Sequence, residues 1–254
     1  MYILHKENES ALDKEGVKCY NVFQAVKGEI VMTFKLFIQA MLKFALGVVL
    51  VGALVFLPAG TLDFMGGWLF MGLLFVPMFC AGIFMMIKNP YLLESRLDAK
   101  EKEREQNIVV KLSGLMFIAG FVLAGLDFRF GWIKLPEWVN IAASVVFVAA
   151  YVLYAEVLRE NTYLSRTIKV VEGQKVISTG LYGIVRHPMY FATLLLFMSM
   201  PLVLGSLVSF IVFLAYPFII AKRIKNEEEV LSRELEGYED YKKKVRYRML
   251  PFIW

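Results

Sequence analysis

Residues 36–57 are apolar except for Lys43, and the run ends at Leu57-Pro58-Ala59-Gly60. A second apolar run, 67–87, opens at Gly67-Trp68 and stops at Lys88-Asn89-Pro90. At ~1.5 Å of rise per residue, about 20 apolar residues cross ~30 Å of hydrocarbon, so each run predicts a membrane-spanning helix. Lys43 lies near enough to the end of its helix to snorkel to the interface. Pro90 closes the second run because proline cannot continue a helix cheaply. Two further spans follow at 109–126 and 138–158; Pro136 opens the fourth, with Trp132 and Trp138 as surface anchors. Between the second and third, the connector 88–108 carries Glu94, Asp98, Glu101, Lys102 and Glu105 at helical spacing, which predicts a solvated interfacial helix.

The pattern changes after residue 158. Residues 159–187 are polar, with Arg159, Glu160, Asn161, Arg166, Lys169 and Glu172. Alternation from Thr167 to Ile177 around Glu172-Gly173 predicts a short extended or hairpin segment at the interface. The apolar stretch 189–221 is too long for one helix and is punctuated by Pro201 and Gly205-Ser206. As helices, 189–200 would reach ~18 Å and 206–221 ~24 Å, both short of the ~30 Å core. The pattern therefore predicts a helical hairpin with a shallow first arm and a second arm interrupted by Pro217. Short or broken helices persist in a membrane where they line a cavity or are covered by protein, so the hairpin is the first place to look for a site. From Lys222 the chain turns charged, and Leu231, Leu235 and Tyr238 predict a helix with one apolar face continuing to about Val245.

These elements give an all-α fold class: a polytopic transmembrane bundle of four spans plus a C-terminal helical hairpin and a cytoplasmic helix. Three regions follow: an N-terminal cytoplasmic segment 1–35, four transmembrane helices over 36–158, and a module over 159–254 with the re-entrant hairpin 189–221. At 58% hydrophobic residues the chain exceeds the roughly 45–50% of soluble domains, in keeping with an apolar solvent. Its +5 net charge sits beside the apolar blocks, which points to anionic lipid and away from nucleic acid. Segments 58–66 and 127–137 hold only Arg129 and Lys134 among Lys and Arg, so the positive-inside rule puts both termini and the charged face of the hairpin in the cytoplasm. Residues 1–26 carry no apolar run of signal-peptide type. Cys19 and Cys80 offer no disulfide framework, and Cys80 reads as a small core side chain.

Two polar constellations stand out. Arg186-His187-Pro188-Met189-Tyr190 marks the entry into the hairpin, where proline in a first helical turn and the helix N-terminus gather donors at the membrane face. Read blandly, it is an interfacial anchor. Arg223 with Glu227 and Glu228 marks the exit, Arg223 and Glu227 sharing a helix face at i, i+4. Read blandly, that is a surface ion pair. If the hairpin folds back, the two meet in one polar pocket that opens onto lipid. His5 lies in a polar tail and reads as idle. Phosphate loops, dinucleotide fingerprints, metal-ligating Cys/His sets and nucleophile elbows are all absent from the sequence, so no metal is expected.

The order of these motifs resembles the isoprenylcysteine carboxyl methyltransferase family, related in pattern to phospholipid methyltransferases. The matching residues run from Thr179-Gly180-Leu181-Tyr182 through Arg186–Tyr190. They resume at Arg223-Ile224-Lys225-Asn226-Glu227-Glu228, then Leu231, Tyr238, Tyr241, Val245, Arg248 and Pro251. The resemblance covers roughly 155–254. It implies S-adenosyl-L-methionine bound by Gln174, Lys175, Val176, Ile177, Tyr182, His187, Pro188, Met189, Tyr190 and Glu227. It implies that Arg223 contacts the methyl acceptor, with Arg186 as a second arm of a fork on a carboxylate. An ionised carboxylate needs no general base, so alignment and desolvation would carry catalysis. The acceptor would be a lipophilic small molecule or a lipidated substrate. The chain departs from the family at Ala192, where glycine is frequent, and at Leu204-Gly205-Ser206 in the hairpin turn. A membrane reductase of the sterol type, which has a similar Arg-His-Pro pattern and uses a reduced nicotinamide cofactor, is the alternative.

Overall fold

The computed structural model describes residues 34–97, 104–164, 168 and 170–254. The expectations placed on His5, Cys19, Asp98, Glu101, Lys102, Arg166, Thr167 and Lys169 lie outside the described residues. Helix α1 runs Phe34–Ala59. Its first part, to Ala45, belongs to one unit of the chain, and Leu46–Trp254 forms a second. The second unit continues with α2 (Met65–Lys88), α3 (Pro90–Leu97), α4 (Arg104–Phe130) and α5 (Glu137–Glu160). After a 3-10 turn at Gly180–Gly183 come α6 (Pro188–Val203), α7 (Leu207–Phe213), α8 (Tyr216–Glu234) and α9 (Tyr238–Lys244).

Among the described residues five helices are long and apolar enough to cross a membrane, counting α7 and α8 together as Leu207–Glu234, while α6 is a shorter apolar helix. The four expected spans fall inside α1, α2, α4 and α5. Leu57, Met65 and Phe218 are more than three-quarters exposed, as side chains in contact with hydrocarbon should be. Cys80 is exposed as well, so it faces out of the bundle and is not the core side chain expected of it. Inside, Phe70, Phe147, Phe213, Val203 and Ile224 are fully buried. Phe117 packs edge-on against Phe197 at 4.8 Å and Phe213 at 5.5 Å, joining α4 to both arms of the hairpin.

Several boundaries differ from those the pattern predicts. Pro201 does not end the first arm, because α6 continues to Val203. Pro217 does interrupt the second arm, with the break falling just ahead of it at Leu214-Ala215 because a proline cannot continue the preceding helix; Pro217 itself sits in the first turn of α8, where its missing N–H costs little. The charged helix does not reach Val245 unbroken. Leu235 leaves the helix and Gly237 adopts φ 81°, a left-handed conformation open to glycine, before α9 starts. Among the described residues no strand forms around Glu172-Gly173, although the turn exists, with the Gln174 N–H bonding the Val171 carbonyl at 3.0 Å. The connector helix is short and partly packed, since Leu92, Leu93 and Ser95 are buried while Glu94 is exposed.

The far end of the hairpin is pinned by polar bonds. Ser206 donates to buried Asp127 at 2.6 Å and accepts from the Ser209 N–H at 3.0 Å. Asn140 donates to the Val203 carbonyl at 3.2 Å. The third span was expected to stop at residue 126, but α4 runs to Phe130 and carries Asp127 inward with it.

Candidate functional site

The hairpin returns α8 to the start of α6, and the two adjacent glutamates meet different partners there. Glu228 is buried. It accepts from Arg186 Nε at 2.7 Å and from Arg248 Nε at 2.7 Å, and its Oε1 lies 3.3 Å from His187 Nε2. Arg186 also donates through Nη1 to the carbonyls of Val245 at 2.7 Å and Arg246 at 2.9 Å. The backbone repeats the tie, with the Arg186 N–H on the Tyr247 carbonyl and the His187 N–H on that of Arg248. Burying a carboxylate is expensive unless it is paired and hydrogen-bonded, and Glu228 is both. Arg186, expected to fork an acceptor carboxylate, instead joins the loop before α6 to α8 and the C-terminal segment.

Glu227 meets a hydroxyl. Tyr190 donates to Glu227 Oε2 and accepts from Arg223 Nε at 3.0 Å, so one phenol links both residues of the i, i+4 pair. Arg223 Nη1 in turn donates to Gln106 Oε1 at 3.2 Å, and Gln106 is fully buried on α4. Met189 faces α3, where Arg96 Nη1 approaches its sulfur at 3.9 Å while the Arg96 Cζ lies 5.4 Å from the Tyr154 ring centroid. Gln106 and Arg96 went unnoticed in the sequence, although the connector helix was expected, because nothing in their spacing marks which helix they will face.

Tyr182 is held from three sides. Asn161 Nδ2 donates to its hydroxyl at 3.1 Å, and Tyr241 donates to its carbonyl at 2.7 Å. Glu160 caps the 3-10 turn by accepting from Thr179 Oγ1 at 2.9 Å and the Leu181 N–H at 3.1 Å. Gly180 is required there, with φ 50° and Glu160 Oε1 only 2.2 Å from where a Cβ would stand. Burial pushes the Tyr182 phenol well above its ordinary pKa; Glu227, Tyr241 and Glu160 add to that, and Asn161 opposes it. The phenol therefore stays protonated.

The segment 174–177 runs beside α9. Val176 packs against the small core of Leu235, Tyr238, Tyr241 and Val245, while Lys175 is exposed and Gln174 Oε1 accepts from the Val171 N–H at 3.1 Å. Two buried side-chain atoms among the described residues lack a protein partner, Asn226 Nδ2 and Tyr238 Oη. The Tyr238 phenol is raised by burial and then by Glu228 and Glu227, with Arg186 opposing. Two grooves mark the surface of the described residues. One, of about 600 Å³, is polar and borders Glu228, Arg248, Ser232 and Lys242. The other, of about 490 Å³, is apolar and lies between Leu112–Ala119 of α4 and Val212–Ile219. Ile219 stands one turn before Arg223, so this groove approaches the arginine from within the membrane. Among the described residues no cluster of His, Cys, Asp and Glu could hold a metal ion.

Residues 130–233 match the model of the isoprenylcysteine carboxyl methyltransferase (ICMT) family, a stretch that contains all of the expected site residues. The structure of the eukaryotic intramembrane Ras methyltransferase ICMT superposes with a TM-score of 0.50 at 18% identity, covering 72% of this chain and 65% of that one, which is a likeness of fold. The Delta(14)-sterol reductase TM7SF2 of Mus musculus is 28% identical over 91 residues, 35% of this chain and 22% of its own length. The Delta(14)-sterol reductase of Methylotuvimicrobium alcaliphilum is 25% identical over 135 residues, 47% of this chain and 32% of its own. The chain thus spans about a third or less of the curated relatives it matches.

Proposed function

We propose that this chain, which carries an ICMT-family module over residues 130–233, is an integral membrane methyltransferase using S-adenosyl-L-methionine on a lipophilic acceptor. The observation that carries the reading is the Tyr190 hydroxyl joined to both Glu227 and Arg223, which ties the two ends of the hairpin into one polar site. The residues present fit the cofactor. It bears a sulfonium and an ammonium, and the site offers the Glu227 carboxylate and the aromatic rings of Tyr182 and Tyr190. His187, Pro188, Met189 and the segment 174–177 complete the set. When bound, the cofactor supplies an electrophilic methyl group.

The protein's own work is positioning. Gln106 fixes the Arg223 guanidinium, and Arg223 orients an acceptor carboxylate that is already ionised, so no general base is required. Arg186 serves by holding Glu228 and the C-terminal segment, and the acceptor contact falls to Arg223. The apolar groove ending near Arg223 suits an acceptor with a hydrocarbon tail, such as a prenylated carboxylate. The charge distribution assigns both termini and the site to the cytoplasmic face.

A second reading is favoured by the sterol-reductase relatives: a reduced nicotinamide cofactor in the same module. Calorimetry on the detergent-purified protein separates the two. S-adenosylhomocysteine is expected to bind and NADPH is not. Binding of NADPH alone would replace the methyltransferase with the reductase. Incubation of membranes with labelled methyl donor, followed by lipid extraction and mass spectrometry, then identifies the acceptor.

A further inference from the structure

Tyr238 stands outside the residues matched by the family model and outside the expected cofactor set, yet its surroundings point to a ligand. It is only 4% exposed, and its hydroxyl has no protein partner. Its ring packs with Leu235, Tyr241 and Val245 in the core against which Val176 rests, beside the expected cofactor segment. Its neighbour Tyr241, 5.8 Å away between ring centroids, spends its hydroxyl on the Tyr182 carbonyl. Two tyrosines three residues apart on α9 thus share one small core, one hydroxyl satisfied within the protein and one not. Burying a hydroxyl without an acceptor is costly, and protein interiors rarely leave such a group orphaned.

Leu231, one helical turn after Glu227 on α8, packs against the same small core as Tyr238, so α8 brings the glutamate end of the site to that core. If Glu227 takes the ammonium of the cofactor's amino-acid end, the α-carboxylate on the same carbon must settle a few ångströms away. It then needs a donor, because the Glu227 carboxylate beside it would repel it. We infer that Tyr238 is a cofactor-binding residue whose hydroxyl donates a hydrogen bond to the α-carboxylate of S-adenosyl-L-methionine. This rests on the methyltransferase reading and deepens it.

The experiment uses the full chain in detergent, with S-adenosylhomocysteine and 5′-methylthioadenosine as probes; the second keeps the adenine, ribose and sulfur but lacks the amino-acid end. Tyr238→Phe is expected to weaken S-adenosylhomocysteine about tenfold and to leave 5′-methylthioadenosine unchanged. The ligand-free Tm should stay the same or rise, since an unsatisfied hydroxyl has been removed. Tyr241→Phe is the structural counterpart: its ligand-free Tm should fall. Equal S-adenosylhomocysteine affinity in wild type and Tyr238→Phe overturns the inference and leaves the methyltransferase reading intact. Equal weakening of both probes also overturns it, by moving the contact to the nucleoside. Failure of the wild type to bind S-adenosylhomocysteine would remove the underlying reading itself.

Discussion

Glu227 and Glu228 are consecutive residues on α8, about 100° apart around its axis, and they are put to opposite uses. Glu228 is enclosed by Arg186, Arg248 and His187, and the Arg186 donors left over reach backbone carbonyls. Glu227 has a phenol and, through it, one arginine that is itself shared with α4. The first environment neutralises its carboxylate and locks three segments together. The second leaves negative charge beside an aromatic ring, which is what a cationic ligand requires. The pair teaches that helical phase alone can give neighbouring carboxylates one enclosed and one open environment.

That contrast can be broken at several points. The largest effect is expected from Glu228→Ala, which strands the buried Arg186 charge. A loss of about 3–5 kcal/mol should lower the Tm by about 10 °C or abolish folded protein, as read by thermal unfolding in detergent. An unchanged Tm would mean the cluster does not hold the fold. Glu227→Ala should leave the Tm within a few degrees yet cost S-adenosylhomocysteine affinity about a hundredfold by calorimetry, about 2.8 kcal/mol. Comparable destabilisation by both substitutions would erase the distinction drawn here. Arg223→Ala is expected to retain cofactor affinity within about threefold while turnover with membrane-derived acceptor disappears; loss of cofactor affinity would reassign the arginine to the donor side. A smaller effect belongs to Ser206→Ala at the distant tip. Removing a bond to a buried carboxylate should cost about 1.5–3 kcal/mol with the S-adenosylhomocysteine Kd unmoved.

Much of this was legible in the chain. Four apolar helices followed from run length, and the meeting of His187 and Tyr190 with the glutamates followed from a hairpin whose two arms return the chain to its starting side. The pairing within the site was not legible. Spacing at i, i+4 singles out Arg223 with Glu227, but it says nothing about which glutamate Arg186 will find, because that depends on the rotation of α8 against a loop forty residues earlier. Gln106 and Arg96 sit in or next to a charged connector, where a solvated face is the ordinary reading. Pro201 misled, since the helix runs past it to Val203, but Gly205-Ser206 marked the first break and Pro217 the second, which falls just ahead of the proline. Tyr238 carried a motif position, but only burial exposes its missing acceptor.

The sixteen residues of α6 have a further consequence. An arm of ~24 Å cannot match a hydrocarbon layer of ~30 Å, so either the surrounding leaflet thins toward it or its tip stays submerged, sealed by the Asp127, Ser206 and Asn140 bonds. Lipid acyl-chain length thereby becomes a variable of the proposed reaction. Reconstituted in phosphatidylcholines of increasing chain length, the protein should turn over fastest in the shorter lipids and slow as the mismatch grows. A flat profile would place the tip entirely under the protein's own cover.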